Sequence, residues 1–473
     1  MLRLYDTRTR QVEEILPAAG RTLRMYACGP TVYRSAHVGN LRSYLLSDLI
    51  GRVAEYHGLR VRLVQNITDV GHLTDDDALD SSGEDKVLGQ ARAEGRDPFA
   101  LARHYEDQFH ADLAALGIRP AERYPRASDS IDLMIQMVER LLGSGHAYVG
   151  GDGGVYFDAR SVPSYGALSG NRLDDLRQGS RIDPAEVAAA KRFHADWALW
   201  KLAGPHRREL VWDSPWGRGF PGWHVECSAM SVAYLGEVID VHTGGIDLRF
   251  PHHEDERAQS NAAVERGPDH EVVRHWVHGE HLLFESRKMA KSTGNVVLLS
   301  DVESRGLDPL AVRLGFLQAR YRQQANLSWA GLAAADRTLG RWRAKVAEWA
   351  ESPSEPMCAG YVERVVAAFD DDLDTPQAVV VLRELERDEV VPPGSKFETF
   401  AHLDRLFGLD LARDVGRPRV AAQLPGGARE LLDARAAARA AKDWTASDRL
   451  RGELAVLGVS VVDTPDGQQW TVG

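Results

Sequence analysis

One segment restricts the fold more than any other. Residues 21–28, RTLRMYAC, alternate well enough to form a strand, and the GPT that follows breaks it. From Asn40 the period changes. Leu41, Leu45, Leu49 and Val53 fall at helical spacing, with Ile50 on the same stripe. Gly58 ends that helix, and RVRLVQNIT begins a second apolar strand. Strand, turn, helix and strand in such quick succession make a βαβ unit. Such a unit requires a parallel sheet and places a site at the carboxyl ends of its strands. Cys28 stands at the mouth of the turn, shortly before His37.

A chain of 473 residues is too long for one core and predicts about two to four domains. With 44% hydrophobic and 27% charged residues it has the composition of a soluble globular protein. A formal charge of −12 argues against a general nucleic-acid coat but permits a local basic groove. Three cysteines cannot make a disulfide framework, which predicts a reducing, cytoplasmic setting. The start, MLRLYDTRTRQVEEILP, is charged throughout and lacks a signal-peptide core. No apolar run reaches membrane-spanning length, so no membrane partner is expected.

Further along, TDDDALDSSGEDK predicts an exposed acidic loop, followed by a helical stretch to about residue 145. Residues 150–215 scatter Gly and Pro among short elements, as an insertion between sheet halves would. Strands are predicted at EVIDVHTG and HWVHGEHLLFE, and helical spacing returns over 307–350. Another helix is predicted after Pro376, PPGSK and QLPGGA as loops, an Ala/Arg-rich helix over 428–442, and a final β-hairpin.

Three stretches can carry chemistry. In HVGN, Gly39 allows close backbone approach and Asn40 suits an N-cap, so the helix would aim its N–H groups and positive dipole end at a phosphate beside His37. In SRKMAKSTGN, Lys288 and Lys291 can close on a polyphosphate as charge builds at phosphorus. Taken alone, HVGN reads more simply as a surface histidine beside a cap, and the lysine pair as a solvated pair in a surface loop. The third stretch is dispersed. Cys28 ends the first strand, Cys227 follows PGWHVE, and FPHHEDERAQ supplies His252, His253, Glu254 and Glu256. Pro251 suits a first helical position, putting His252 and Glu256 at i and i+4 on one face. Two thiolates, an imidazole and a carboxylate make a reasonable Zn²⁺ shell. No CxxC spacing announces it, and two buried free cysteines beside a solvated acidic helix start would read the same.

The order of HVGN and KMAKS resembles the two signatures of class I aminoacyl-tRNA synthetases, usually written HIGH and KMSKS, with Asn40 and Ala290 as departures. CGPTVY, NITD, PGWHVECSAM, GGIDLRFPHHEDE, KMAKS, FDDDLDTPQA and ARAAKDWTASDRLRGEL occur in the order and at spacings similar to cysteinyl-tRNA synthetases. The resemblance covers nearly the whole chain. After NITDV that family commonly continues with a short acidic stretch such as DDK, where this chain has the longer GHLTDDDALDSSGEDK.

The resemblance implies a Rossmann-type α/β catalytic domain in two halves (1–135 and 216–300) around a connective insertion (136–215). A stem-contact region (301–345), a helical bundle (346–424) and an anticodon-recognition domain (425–473) would follow. It implies Cys28, Cys227, His252 and Glu256 as ligands of one Zn²⁺, and His37, Asn40, Gly245, Asp247, Lys288 and Lys291 as the ATP and catalytic set. Thr31, Asn66, Thr68 and Trp223 would surround the amino acid. It implies ATP with Mg²⁺, L-cysteine and cysteine tRNA as substrates, no DNA, and a monomer. Arg439, Trp444 and Arg449 would contact tRNA in the terminal segment, and Arg313, Arg320 and Arg322 would brace it. The other functions with these motifs are a mycothiol-type ligase joining cysteine to an amino sugar, and a non-catalytic RNA-binding relative. KDWTASDRL argues against the first, and the surviving motifs argue against the second.

Overall fold

The computed structural model describes residues 1–74, 83–176, 190–205, 207–264, 266–267, 270–289, 294–417, 425–464 and 467–472. Strands β1 (Arg3–Asp6) and β2 (Gln11–Glu14) pair antiparallel. Strand β3 (Thr22–Ala27), helix α1 (Val38–Tyr56) and β4 (Arg60–Gln65) then form the expected βαβ unit, with β3 parallel to β4 from Thr22↔Arg60 to Ala27↔Gln65. Helix α1 follows from its stripe. Val38, Leu41, Leu45, Leu49, Ile50 and Val53 are all buried, each stabilising the fold by roughly 1.5–3 kcal/mol. The N-cap is His37 rather than Asn40. The His37 side chain accepts from the Asn40 backbone, and the Asn40 side chain accepts from the His37 backbone, a reciprocal capping box.

The helical stretch to 145 resolves into α2 (Lys86–Glu94), α3 (Pro98–Ala115) and α4 (Ile131–Gly143). Asp85 and Asp97 cap the first two, with Pro98 opening α3. The Gly-rich insertion folds as an antiparallel sheet of β5 (Ala147–Val149), β6 (Val155–Phe157), β7 (Trp197–Leu202) and β8 (Gly219–Pro221). Helix α5 (Trp223–Leu235), strand β9 (Ile239–Gly245), helix α6 (His252–Val264) and strand β10 (Val273–Gly279) complete the central sheet. Its order is β10-β9-β3-β4, with every neighbour parallel. The chain therefore leaves β3 on one side to reach β4 and returns on the other as β9. That is the switch point at which open α/β sheets hold ligands.

The stretch HWVHGEHLLFE is two strands, not one. After β10 the chain leaves for β11 (Leu282–Phe284), which pairs with β12 (Arg287–Lys288) and β13 (Ala325–Leu327). Arg42 on α1 enforces the break by donating to the carbonyls of Glu280, His281, Arg320 and Gln323 at 2.7–3.1 Å. Helices α7 (Leu299–Ser304) and α8 (Pro309–Leu317) precede β13, and α9 (Trp329–Trp349), α10 (Ala359–Asp370), α11 (Thr375–Arg387) and α12 (Pro393–Phe407) follow. PPGSK is the start of α12 rather than a loop. Pro392 caps it and Pro393 opens it, where a missing N–H forfeits no hydrogen bond.

The chain divides into two compact units, Met1–Val415 and Gly416–Gly473. The second holds α13 (Ala428–Ala440), α14 (Trp444–Val456) and the expected hairpin of β14 (Val459–Thr464) and β15 (Gly467–Val472) around Ala428, Leu432, Leu454, Val459 and Val461. Helix α14 has no clear sequence signal, because it buries only Ser447, Leu450 and Leu454 and its polar surface hides the period.

In the first unit one buried carboxylate joins distant helices. Asp48 on α1 binds Arg313 of α8 and Arg52 at 2.7 Å each, and Arg119 at 3.1 Å. Arg313 also donates to the carbonyls of Leu116, Gly117 and Phe407. It is fully buried, which corrects the expectation that it braces RNA; Arg320 and Arg322 pair with Asp374 and Asp372. Burial alone would raise the Asp48 pKa, but Arg313 and Arg52 outweigh it and hold the group down to about 2. The contribution is therefore complete above the unfolded value of ~3.9 and is lost as pH falls through about 2. Asp48→Asn should destabilise the first unit by about 3–5 kcal/mol at pH 7. Urea unfolding at stepped pH should also show a smaller loss of stability on acidification than in the wild type.

Candidate metal centre and active-site cleft

The ends of β3 and β9 meet, where the Cys28 backbone N–H donates to the Thr243 carbonyl at 3.2 Å. Helix α5 brings Cys227 to the same point, and α6 brings His252 and Glu256 one turn apart. Cys28 Sγ lies 3.9 Å from Cys227 Sγ and 3.4 Å from Glu256 Oε1, and His252 Nε2 lies 3.1 Å from Glu256 Oε1. The four donor atoms all fall within 4.8 Å of one another and all four residues are buried. A tetrahedral Zn²⁺ with bonds of about 2.3 Å to sulfur separates two sulfurs by about 3.8 Å, so the donor set fits such an ion. Cys28, His242, His253 and Glu256 form an overlapping set. The first set holds the second thiol and suits a softer metal better. The solvated acidic helix start is excluded, because Glu254, Asp255 and Glu256 are buried.

Electrostatics sharpen the picture. Burial opposes ionisation of Cys227, yet hydrogen bonds from Cys28 and His252 bring its pKa down to about 6. Burial likewise opposes charge on His252, but Glu256 and Cys227 beside it push its pKa up to about 10. Cys28 moves the other way, raised by burial and by its neighbour Cys227. One thiolate, one imidazolium and one carboxyl packed this closely gain most from replacing their protons with a dication.

Above this floor opens a cleft of about 540 Å³. Cys28, Thr31, His37, Asn40, Trp223, Gly245, Asp247, His252 and Lys288 line it. Cys227, Glu256, Asn66 and Thr68 sit behind the lining. Asn66 Oδ1 accepts from the Gly29 N–H at 2.8 Å, its amide donates to Thr68 at 3.0 Å, and Thr68 donates to buried Glu226 at 3.3 Å. A Cβ on Gly29 would collide with the Asn66 carbonyl oxygen, so only glycine lets the two strand ends approach. Gly245 serves the same end for Asp247, whose carboxylate a Cβ there would displace.

The HVGN turn and the segment after KMAKS meet directly. The Val38 N–H donates to the Val297 carbonyl at 2.9 Å, and Met289 is buried against Gly39. His37 Nδ1 accepts from Asn40, leaving Nε2 as the nitrogen that carries the proton, and burial, then Arg34, lowers its pKa. Lys288 is exposed at the rim, with its carbonyl held by Asn295. Lys291 lies outside the described residues.

The sequence does not single out His72 and Lys86, which flank the acidic insertion. His72 stacks on Trp223 with centroids 3.9 Å apart and planes 7° from parallel, bonds Thr31 Oγ1 at 2.6 Å, and meets Lys86 Nζ at 2.5 Å. Trp223 packs on His252 at 4.1 Å. The only signal for His72 and Lys86 is their place beside the departure from DDK.

Residues 14–337 match the class I tRNA synthetase (C) catalytic domain, and 421–470 the cysteinyl-tRNA ligase anticodon binding domain. A cysteine–tRNA ligase of Thermus thermophilus is 41% identical over 489 residues, covering 99% of this chain and 98% of that one. The chain belongs to the cysteine–tRNA ligase family. A second member, cysteine–tRNA ligase 1 of Burkholderia lata, is 42% identical across 99% of this chain and 96% of its own. Solved structures share the fold at low identity. Methionyl-tRNA synthetase of Mycobacterium tuberculosis with methionyl-adenylate superposes with a TM-score of 0.56 at 17% identity, over 84% of this chain and 92% of that one. LeuRS of Agrobacterium radiobacter K84, in a ternary complex, gives 0.58 at 12% over 83% and 84%.

In the second unit, the Arg439 guanidinium lies 5.4 Å over the ring of Trp444, which is 56% exposed. Arg439 and Arg451 also pair with Asp463, and Arg449 with Glu453. Arg435 is buried against Asp463 and Gln468 and presents nothing to solvent. No described helix is long and apolar enough to cross a membrane.

The metal reading has a direct check. Dialysed against Zn²⁺ and then buffer, the wild type should retain about one equivalent by elemental analysis. Cys227→Ser should weaken retention by more than about 100-fold, beyond the range for outer partners.

Proposed function

We propose that the chain activates L-cysteine with ATP and transfers it to the 3′ end of cysteine tRNA. The observation that carries this is the placement of a two-thiol, imidazole and carboxylate set at the base of a cleft that is also lined by His37, Gly39, Asn40, Lys288 and Met289. Zn²⁺ held by Cys28, Cys227, His252 and Glu256 would take a substrate thiolate strongly and a serine hydroxyl weakly. An apolar pocket separates such analogues by only about 1–3 kcal/mol, so this chemistry removes the need for hydrolytic editing in the 136–215 insertion.

The chain's own residues do the remaining work. Trp223, stacked on His72 and in tilted contact with His252, walls the amino-acid side, and Thr31, Asn66 and Thr68 shape its floor. Asp247 accepts from ribose hydroxyls beside Gly245. The substrate carboxylate attacks the α-phosphorus of ATP, which enters with Mg²⁺, forming an O–P bond as pyrophosphate leaves. His37 Nε2–H, the α1 N-terminus beside Asn40, and Lys288 with Lys291 stabilise the charge that builds there. Positioning carries this step, and no general base is required. The tRNA terminal hydroxyl then attacks the acyl carbon of the adenylate, forming the ester as the acyl–phosphate bond breaks and AMP leaves. The segment 425–473 reads the anticodon through Trp444, Arg439 and Arg449, and the chain acts as a cytoplasmic monomer.

Cysteine-dependent ATP–pyrophosphate exchange should exceed that with serine by more than about 100-fold. Lys288→Ala should slow exchange by about 100–1,000-fold. The acyl group should pass to tRNA and not to an amino sugar; the reverse would establish the amino-sugar ligase. Loss of one stacking platform in Trp444→Ala should cost about 1–3 kcal/mol of tRNA binding, measured as a raised KM for tRNA.

A further inference from the structure

Three hydrogen bonds connect the N-terminal hairpin to the sulfur of Cys28. Thr7 Oγ1 lies 2.7 Å from His278 Nδ1, His278 Nε2 lies 2.8 Å from His253 Nδ1, and His253 Nε2 lies 3.2 Å from Cys28 Sγ. Thr7, His253 and His278 are buried, and none of them lines the cleft. They stand behind its wall, where they touch no substrate.

A neutral imidazole carries one ring proton, so a chain of this kind has only two consistent arrangements. Either every proton points away from sulfur, beginning with a Cys28 S–H donor, or every proton points toward it, beginning with the Thr7 hydroxyl. A metal-bound cysteine has no proton to give. We infer that Thr7, His278 and His253 are positioning residues, a directional relay that presents His253 Nε2–H to the Cys28 thiolate when the metal is bound. The inference rests on the metal reading above and concerns what holds that ligand in place. A hydrogen bond from His253 orients the thiolate and stabilises its charge, as outer partners do for ligating histidines. The competing role, His253 as a ligand within the overlapping set, would reverse the relay and make Thr7 an acceptor.

The test uses the full-length chain loaded with Co²⁺ for spectra and with Zn²⁺ for release to a chromogenic chelator. Removing an N–H donor from a thiolate raises the energy of its lone pairs. The sulfur-to-cobalt charge-transfer band should therefore move to lower energy in His253→Phe, with Zn²⁺ release about 10–100-fold faster. Thr7→Val acts only through the tautomers. It should move the band the same way by less and speed release about 3–10-fold, while Thr7→Ser restores both. Unmoved bands and unchanged release in Thr7→Val would overturn the relay, even if His253→Phe fails to fold. Collapse of the cobalt ligand-field pattern in His253→Phe would overturn it in favour of ligation. A wild type lacking a two-thiolate cobalt spectrum would refute the metal reading itself, and the relay with it.

Discussion

Burying two thiols, an imidazole and a carboxylate within one ion's reach is the constraint on which the rest of the catalytic unit depends. Left as acids and bases in a dry interior these groups repel and shift one another, as the opposed displacements of Cys28 and Cys227 show. A dication relieves that conflict. The four donors come from three elements, Cys28 from the end of β3, Cys227 from α5 and His252 and Glu256 from α6, so the site forms only once the sheet is assembled. Metal binding in such a site is folding free energy as much as recognition.

The sheet order makes the assembly possible. Because β9 lies against β3 on the side away from β4, the ends of β3 and β9 open side by side at the switch point. Cys28 directly follows β3 and a short turn leads from it to the start of α1, so Cys28, His37 and Asn40 line one cleft. Two buried arginines hold the surrounding pieces. Arg42 captures four carbonyls where the chain leaves the central sheet, and Arg313 ties α8 to the Asp48 carboxylate of α1. A guanidinium suits this role because its five donors lie in a rigid plane.

Strong periodicity is legible wherever one face of an element is buried against one partner, as in α1 and the strands beside it. It fails where burial is shared or slight. HWVHGEHLLFE reads as one strand because the break comes from Arg42, far away in sequence. Helix α14 escapes the pattern because few of its residues are buried, and PPGSK because the same proline that ends one helix can begin another. Among site residues, the metal set and the motif residues are visible as residue types. The roles of His72, Lys86, His253 and His278 are not, since such a side chain declares its role only through its neighbours.

By itself, then, the sequence determined the βαβ core, the order of the motifs and the kinds of donor available. Those follow from local spacing and side-chain chemistry, which need no partner to be read. Tertiary structure alone decided that Arg313 and Arg435 are sealed inside, and that Thr7 reaches Cys28 through two histidines. Each of these turns on which groups share a dry volume. Distance along the chain does not encode that, because packing brings together residues hundreds of positions apart.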